Sequence, residues 1–483
     1  MDIRLNHDHT PLFTALTEHS GKKSIHMDVP GHKQGAGSLE LTDYFGERML
    51  RADINSMYGM DNLLNPQGVI RDAEILAADL FKADAAFFMV NGTTSAIQTM
   101  ILAACRPGDK IIIPRNVHKS IINAMIISGA FPVYVQPKFS YKLGLTLGVT
   151  EQDYIKAIND NKDAKAVLII NPTYYGFVCD VAEVAKEAHK YDMSVLADEA
   201  HGTHFYFHPD LPSGSIEAGA DMAGLSVHKT GGSLTQSSIL LLKERYFSKN
   251  YIKSVSNITQ TTSASYLLMA SLDVARKQLA KNGRKMYQKV IDIAEEIRYK
   301  VGLIPGYVPV THVTDDVGMY GYDSTKVVFN IKRLDITGIH MFDILASEYD
   351  IYAEFGDSEN ILFIPGIGSS FDEIPVMVNA LSLISKKYST RQKQLFFKPW
   401  CNVNLIYSPR EAFYMPKKRI LFKEAIGRVS AEFVMFYPPG IPILAPGELI
   451  TQEAYEYIRL LVEENAAITG IEDSTAQTVL IVE

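Results

Sequence analysis

The sequence predicts a doubly wound α/β fold, built on a mainly parallel sheet, with smaller α+β units following it in the chain. Three observations carry this prediction. Short apolar runs alternate with helical patterns between about residues 85 and 240. Each run is apolar at consecutive positions, as in strands buried on both faces of a helix-covered sheet. After about residue 285 the pattern changes to strand, helix, strand, which suits a smaller α+β unit.

The elements follow in order. The predicted strands are AAFFMV (85–90), DKIIIP (109–114), FPVYV (131–135), AVLII (166–170), SVLAD (194–198) and AGLSV (223–227). Amphipathic segments such as TSAIQTMILAAC and AEVAKEAHKYD lie between them and cover the sheet. MYQKVIDIAEEIRYKVGL then reads as a long amphipathic helix leaving the large domain. KVVFNIKRL (326–334), MFDILASEYDIYAEF (341–355) and NILFIPGIG (360–368) read as strand, helix and strand. The stretch 396–407, with the only tryptophan, reads as a linker, and EFVMFYPPGIPILAPGE (432–448) as two apolar runs around a Pro/Gly-rich loop. The predicted division is an N-terminal segment at 1–60, a large domain at 61–285, a small domain at 286–395 and a C-terminal domain at 396–483.

A chain of 483 residues is too long for one core and fits two or three domains. Its apolar content of 47% and charged content of 21% are those of an ordinary globular protein. A net charge of −8 argues against nucleic acid or an anionic membrane as a partner, and suits a cationic substrate without proving one. Cys105, Cys179 and Cys401 are scattered, so they form neither a disulfide framework nor a CxxC metal site, and a reducing compartment is expected. The N-terminus lacks the apolar core of a signal peptide, and no run approaches the roughly 20 apolar residues that span a bilayer. The expected location is therefore the cytoplasm.

In such a sheet ligands bind at the carboxyl ends of the strands. Lys229, in SVHKTGGS, stands just past one strand. A lysine at a buried strand end is either paired or does chemistry, and a Schiff base with an aldehyde is one such use. A salt-bridged lysine is the plainer alternative. About thirty residues upstream, SVLAD delivers Asp198 to the same edge. An ionised carboxylate keeps a neighbouring pyridine nitrogen protonated, and a pyridinium is an electron sink; a helix N-cap is the alternative. NGTTSA (91–96) follows a strand and opens a helix, so Thr93, Thr94 and Ser95 sit where an anion is favoured. They could equally be plain caps. Without GxGxxG or a Walker lysine, one phosphate monoester is the anion to expect. His118, His201, Ser226 and His228 add polar groups to the rim, and His118 could stack on a flat aromatic ring. HGTH (201–204) with His208 does not match a helical zinc pair, so no metal is expected.

At these residues the sequence resembles the Orn/Lys/Arg decarboxylase family of fold-type-I pyridoxal-phosphate enzymes, whose large domain is aspartate-aminotransferase-like. The matching stretches are PGHKQG (30–35), NGTTSA, RNVHKS (115–120), NPTYYG (171–176), ADEAHG (197–202), SVHKTGGSLTQSS (226–238), TTSASY (261–266) and YPPGIPILAPGE (437–448). They span almost the whole chain in the expected order. The resemblance implies that Lys229 carries pyridoxal 5'-phosphate as a Schiff base, that Asp198 pairs with the ring nitrogen and that His118 stacks on the ring. It further implies that Thr93, Thr94, Ser95, His201, Ser226 and His228 line the phosphate or the lysine, and that Thr262 reaches the phosphate of a second subunit. A homodimer or higher homo-oligomer is therefore implied. PGHKQG and the YPPGIP loop are expected near the substrate.

PLFTALTEHS leads almost directly into PGHKQG, so the expectation is the short branch without an N-terminal receiver-like wing. NPTYYG, SVHKTGGSLTQSS and GIEDST (470–475) look most like the biosynthetic arginine decarboxylases. The implied reaction is decarboxylation of a basic amino acid, arginine first and lysine next. Lys229 or His228 would return the proton to Cα. Glu354, Glu472 and Asp473 are the candidate acids for the cationic end of the substrate, with surface exposure as their alternative. An aminotransferase or aldolase-like lyase on the same fold is the rival enzyme, and a catalytically silent partner of a decarboxylase is the rival of another class.

Overall fold

The structure is a computed structural model that describes residues 5–57, 59–311, 319–389, 404–436, 440–463 and 466–483. Trp400, Cys401, most of the 396–407 stretch and residues 437–439 of the YPPGIP loop lie outside the described residues. The chain divides into two compact units, one of residues 1–103 with 196–287 and the other of residues 104–195 with 288–483.

The strands are β1 (Ala85–Met89), β2 (Lys110–Pro114), β3 (Phe131–Val135), β4 (Ala166–Ile170), β5 (Ser194–Asp198), β6 (Met222–Leu225) and β7 (Ser238–Leu242). Every residue of β5, β6 and β7 is buried, which is why these strands are apolar at consecutive positions rather than alternating. In the first unit β6 pairs in parallel with the end of β5, while β7 runs antiparallel between β6 and β1. In the second unit β2 pairs in parallel with both β3 and β4.

Two details differ from the sequence reading. The run AGLSV does not stay extended: β6 ends at Leu225, and Val227–Thr230 turn into a one-turn helix. SILLL, outside the six predicted runs, forms β7, so the sheet is mixed at this edge.

The helices that matter are α1 (Gly92–Ala104), α2 (Lys119–Ser128), α3 (Val227–Thr230) and α4 (Tyr266–Gly302). Gly92 starts α1 with φ +74, a left-handed conformation that lets β1 turn straight into the helix. α1 then buries Ala96, Ile97, Met100 and Ile101, while α2 is capped by the His118 side chain and closed by Gly129 at φ +77. α4 is a single helix of 37 residues that begins directly after the polar run TTSAS.

In the second unit, residues 308–309, 327–330, 360–363 and 355–356 form a four-stranded antiparallel sheet, in that order. The helices Gly338–Tyr349 and Ile374–Lys387 close its core around Val327, Phe329, Leu345, Ile361 and Leu381. A separate core holds Phe422, Val434, Leu444, Ile458, Val479 and Ile481. Among the described residues no helix is long and apolar enough to cross a membrane.

Candidate active site

The first unit brings the carboxyl ends of β5 and β6 to one edge, since Leu196–Asp198 pair in parallel with Met222–Gly224. Asp198 ends β5 and is 9% exposed. Its one hydrogen bond comes from the Ala200 N–H at 3.3 Å, at the long end of the normal range, so most of its acceptor capacity is uncommitted. Burial pushes its carboxyl up from the usual carboxylate range, and the charge of Lys229 opposes that rise.

Lys229 lies in α3, and its Nζ stands 3.0 Å from Nε2 of His201. The sequence suggested a lysine at a buried strand end. β6 is indeed buried, but the single helical turn lifts Lys229 to an exposed position. Burial cost is therefore not what marks this lysine; its accessibility beside a buried carboxylate and a histidine is. His201 is buried. His228, half-buried, donates Nδ1–H to the Ser237 carbonyl at 2.8 Å, because a carbonyl can only accept. Burial first, and the Lys229 charge after it, lower its pKa against the opposing bond to Ser237. The lowered pKa disfavours the imidazolium form of His228.

The start of α1 closes the same unit's constellation. Thr93 donates its hydroxyl to Ser238 at 3.0 Å and accepts from Ser226 at 2.6 Å, all three side chains being buried. These hydroxyls link the α1 N-terminus to the residue that precedes α3. Ser95 is buried and donates to the Gly92 carbonyl at 2.9 Å, whereas Thr94 is exposed. Of the Thr-Thr-Ser triplet, only Thr94 therefore presents its side chain outward. The N–H groups of the first turn lack intrahelical partners, and the helix dipole makes that end attractive to an anion. Thr262 is exposed in the segment that leads into α4.

The other predicted residues belong to the second unit. His118 follows β2, is half-buried, and takes the Ser120 N–H on Nδ1 at 3.2 Å. Glu354 is half-buried and accepts the hydroxyl of Tyr174. Glu472 is exposed and paired with Arg419. Asp473 takes four bonds, from N and Oγ1 of Thr475 at 3.0 and 2.6 Å and from N and Oγ1 of Thr478 at 2.9 and 2.7 Å. These bonds hold its carboxyl well below the usual range.

Two residues were not singled out from the sequence. Ser238 completes the hydroxyl chain, and Tyr174 holds Glu354. Both lie inside the quoted stretches SVHKTGGSLTQSS and NPTYYG, and those stretches are the only signal the sequence offered.

In chemical terms, the first unit holds an accessible amine, a buried carboxylate with uncommitted acceptor capacity and a helix N-terminus. These complement an aldehyde, a protonated ring nitrogen and a phosphate, the three polar handles of pyridoxal phosphate. The residues therefore fit that cofactor.

The family models for the Orn/Lys/Arg decarboxylase major domain and C-terminal domain match residues 10–315 and 391–478. An arginine decarboxylase of Bacillus anthracis is 44% identical over 486 residues, covering 99% of this chain and 98% of that protein. One of Bacillus subtilis strain 168 is 43% identical over 479 residues, with 98% of each covered. Among solved structures, the lysine decarboxylase of Francisella novicida shares the fold with a TM-score of 0.84 at 19% identity, over 98% of this chain and 81% of that one. The chain belongs to the Orn/Lys/Arg decarboxylase family.

Proposed function

We propose that this protein is a pyridoxal-phosphate-dependent decarboxylase of a basic amino acid, with arginine as its preferred substrate and agmatine as the product. The observation that carries the reading is that the ends of two paired strands hold an accessible Lys229 and a buried Asp198 whose acceptor capacity is uncommitted and which feels the lysine's charge. The preference for arginine rests on the two arginine decarboxylases, 44% and 43% identical along nearly the full chain.

The chemistry that pyridoxal phosphate supplies when bound is an electron sink for the bond broken as carbon dioxide leaves. Lys229 is the amine that would hold its aldehyde carbon. Asp198 would accept the N–H of its ring, and that cationic partner would offset the cost of a buried carboxylate. Thr94 and the first-turn N–H groups of α1, backed by Thr93, Ser95 and Ser226, would take its phosphate. His118 would cover the ring. His201 would hold the Lys229 Nζ in line, since it already stands 3.0 Å away.

The tautomer of His228 decides the proton's path. Its Nδ1–H is committed to Ser237, and burial disfavours the imidazolium whose Nε2–H could donate. Lys229 Nζ is then the atom that returns the proton to Cα. Glu354 is the acid assigned to the guanidinium, because Tyr174 engages only part of it while Glu472 is paired with Arg419 and Asp473 is saturated by its own turn. A homodimer or larger homo-oligomer in the cytoplasm, with Thr262 donated across the interface, completes the proposal; nucleic acid and membrane have no part in it.

The test is direct. The purified protein should be yellow, and borohydride should fix the cofactor to the peptide that holds Lys229. Release of carbon dioxide should then be fastest from arginine among arginine, lysine and ornithine. Label on a different lysine sinks the site assignment, and faster release from lysine or ornithine sinks the preference. Transamination without carbon dioxide release would move the protein to another enzyme class.

A further inference from the structure

Directly after Asp198 comes a second acid, Glu199, which the reading above does not use. Its exposure is 0%. Consecutive residues of an extended chain point to opposite sides, so Glu199 faces away from the rim that Asp198 serves. A buried carboxylate is costly unless its oxygens are satisfied. Here they are. Ser215 donates its N–H at 2.7 Å and its hydroxyl at 2.8 Å to Oε1, and Tyr206 donates its hydroxyl at 2.7 Å to Oε2.

The donors are themselves fixed. Tyr206 packs edge-on against Phe81 with ring centroids 5.1 Å apart, and it accepts the Ile216 N–H at 3.3 Å. Its ring lies so close to Gly214 that any β-carbon there would collide with it. The backbone of Glu199 is tied at both ends, its N–H to the Gly224 carbonyl of β6 at 3.0 Å and its carbonyl to the Gly202 N–H at 2.9 Å. The turn that carries both Asp198 and His201 is thus held by these backbone bonds and by one buried carboxylate, which three donor groups of Tyr206 and Ser215 fix in place.

We infer that Glu199 is a positioning residue: its grip on Ser215 and Tyr206 sets the direction in which Asp198 and His201 face a bound cofactor ring. The inference rests on the cofactor reading proposed above. Asp198 has a single long hydrogen bond of its own, so nothing else among its own side-chain bonds fixes its orientation. A carboxylate that is left free to receive a ligand needs its aim supplied from behind, and Glu199 supplies it.

The test uses the cofactor-loaded enzyme and three variants. Glu199→Ala should lower kcat by about tenfold to a hundredfold, the usual cost of a small misplacement, with KM for arginine within about a factor of two. It should also release pyridoxal phosphate faster on dialysis and shift the pH midpoint of the visible band, neither of which a loss confined to fold stability would do. Glu199→Gln should recover most of the lost turnover, because its oxygen can keep the Ser215 bonds while its amide donates to the Tyr206 oxygen. If Glu199→Ala does not fold, Tyr206→Phe and Ser215→Ala each remove one donor and are read in the same way.

A folded Glu199→Ala with wild-type kcat, cofactor retention and band midpoint overturns the inference, as do wild-type values in both donor variants. A Glu199→Gln as damaged as the alanine also overturns it, since charge and not position would then be the contribution. A wild-type protein with no visible band and no label at Lys229 overturns the cofactor reading itself. A normal wild type beside an unaffected Glu199→Ala overturns this inference alone.

Discussion

Asp198 and Asp473 were both singled out by sequence, and the structure treats them in opposite ways. Asp198 is buried at a strand end, with one hydrogen bond at 3.3 Å. Asp473 sits in a surface turn with four, between 2.6 and 3.0 Å. Their pKa values move apart accordingly: burial raises the carboxyl of Asp198, and the bonds from Thr475 and Thr478 lower that of Asp473. A carboxylate available to a ligand is one that the fold has desolvated and left under-satisfied. A saturated carboxylate staples its own turn.

The largest effect that probes this contrast comes from Lys229, the cation facing Asp198. Lys229→Ala should reduce carbon dioxide release on the order of a thousandfold or more, as loss of a covalent anchor does. Asp473→Asn, assayed beside it, should leave kcat and KM near wild type. Equal losses in the two variants would erase the distinction.

Asp198→Asn comes next. It keeps the shape and removes the charge, and turnover should fall on the order of a hundredfold. Near-normal turnover in a variant shown by absorbance to hold cofactor would remove Asp198 from the mechanism.

Glu354 tests an intermediate case, since Tyr174 commits part of it. Glu354→Gln should raise KM for arginine about tenfold, and less for an uncharged analogue, the usual scale for losing a charge-assisted bond. Unchanged kinetics would return the substrate role to other acids.

The smallest effect is in stability, and its sign differs between the two aspartates. The folded pKa of Asp198 is raised, so its favourable contribution exists only below the unfolded value near 3.9 and is lost as pH rises through the folded pKa. Without cofactor, Asp198→Asn should therefore be more stable than wild type at neutral pH, with the gap closing on acidification. The folded pKa of Asp473 is lowered, so its contribution is present above about 3.9 and is lost as pH falls through the folded pKa. Asp473→Asn should be less stable at neutral pH, again with a closing gap. Urea unfolding at a series of pH values measures both, and two gaps of the same sign would contradict the comparison.

Much of this was legible in the sequence. Six apolar runs placed six strands, because strands buried on both faces leave an uninterrupted apolar signature. Lys229, Asp198 and the start of α1 could be found because strand ends face a common edge. Other features were not legible. AGLSV looked extended throughout, yet its last two residues belong to the turn that lifts Lys229 into reach. SILLL is as apolar as its neighbours, and no local property says that it runs antiparallel. Glu199 carries no local signal of its role, because its donors lie 7 and 16 positions away.

The sequence by itself determined the fold class and the family, because strand periodicity and motif order are properties of the chain alone. Only the tertiary structure decided which acids are uncommitted. Whether Asp198 keeps its acceptor capacity, Glu354 shares its oxygens with Tyr174, or Asp473 gives all of its capacity to its own turn depends on which donors folding brings within about 3 Å. For Glu354 the donor lies 180 positions away, beyond any local window, whereas the donors of Asp198 and Asp473 are local and only the folded turn decides how many of them reach the carboxylate.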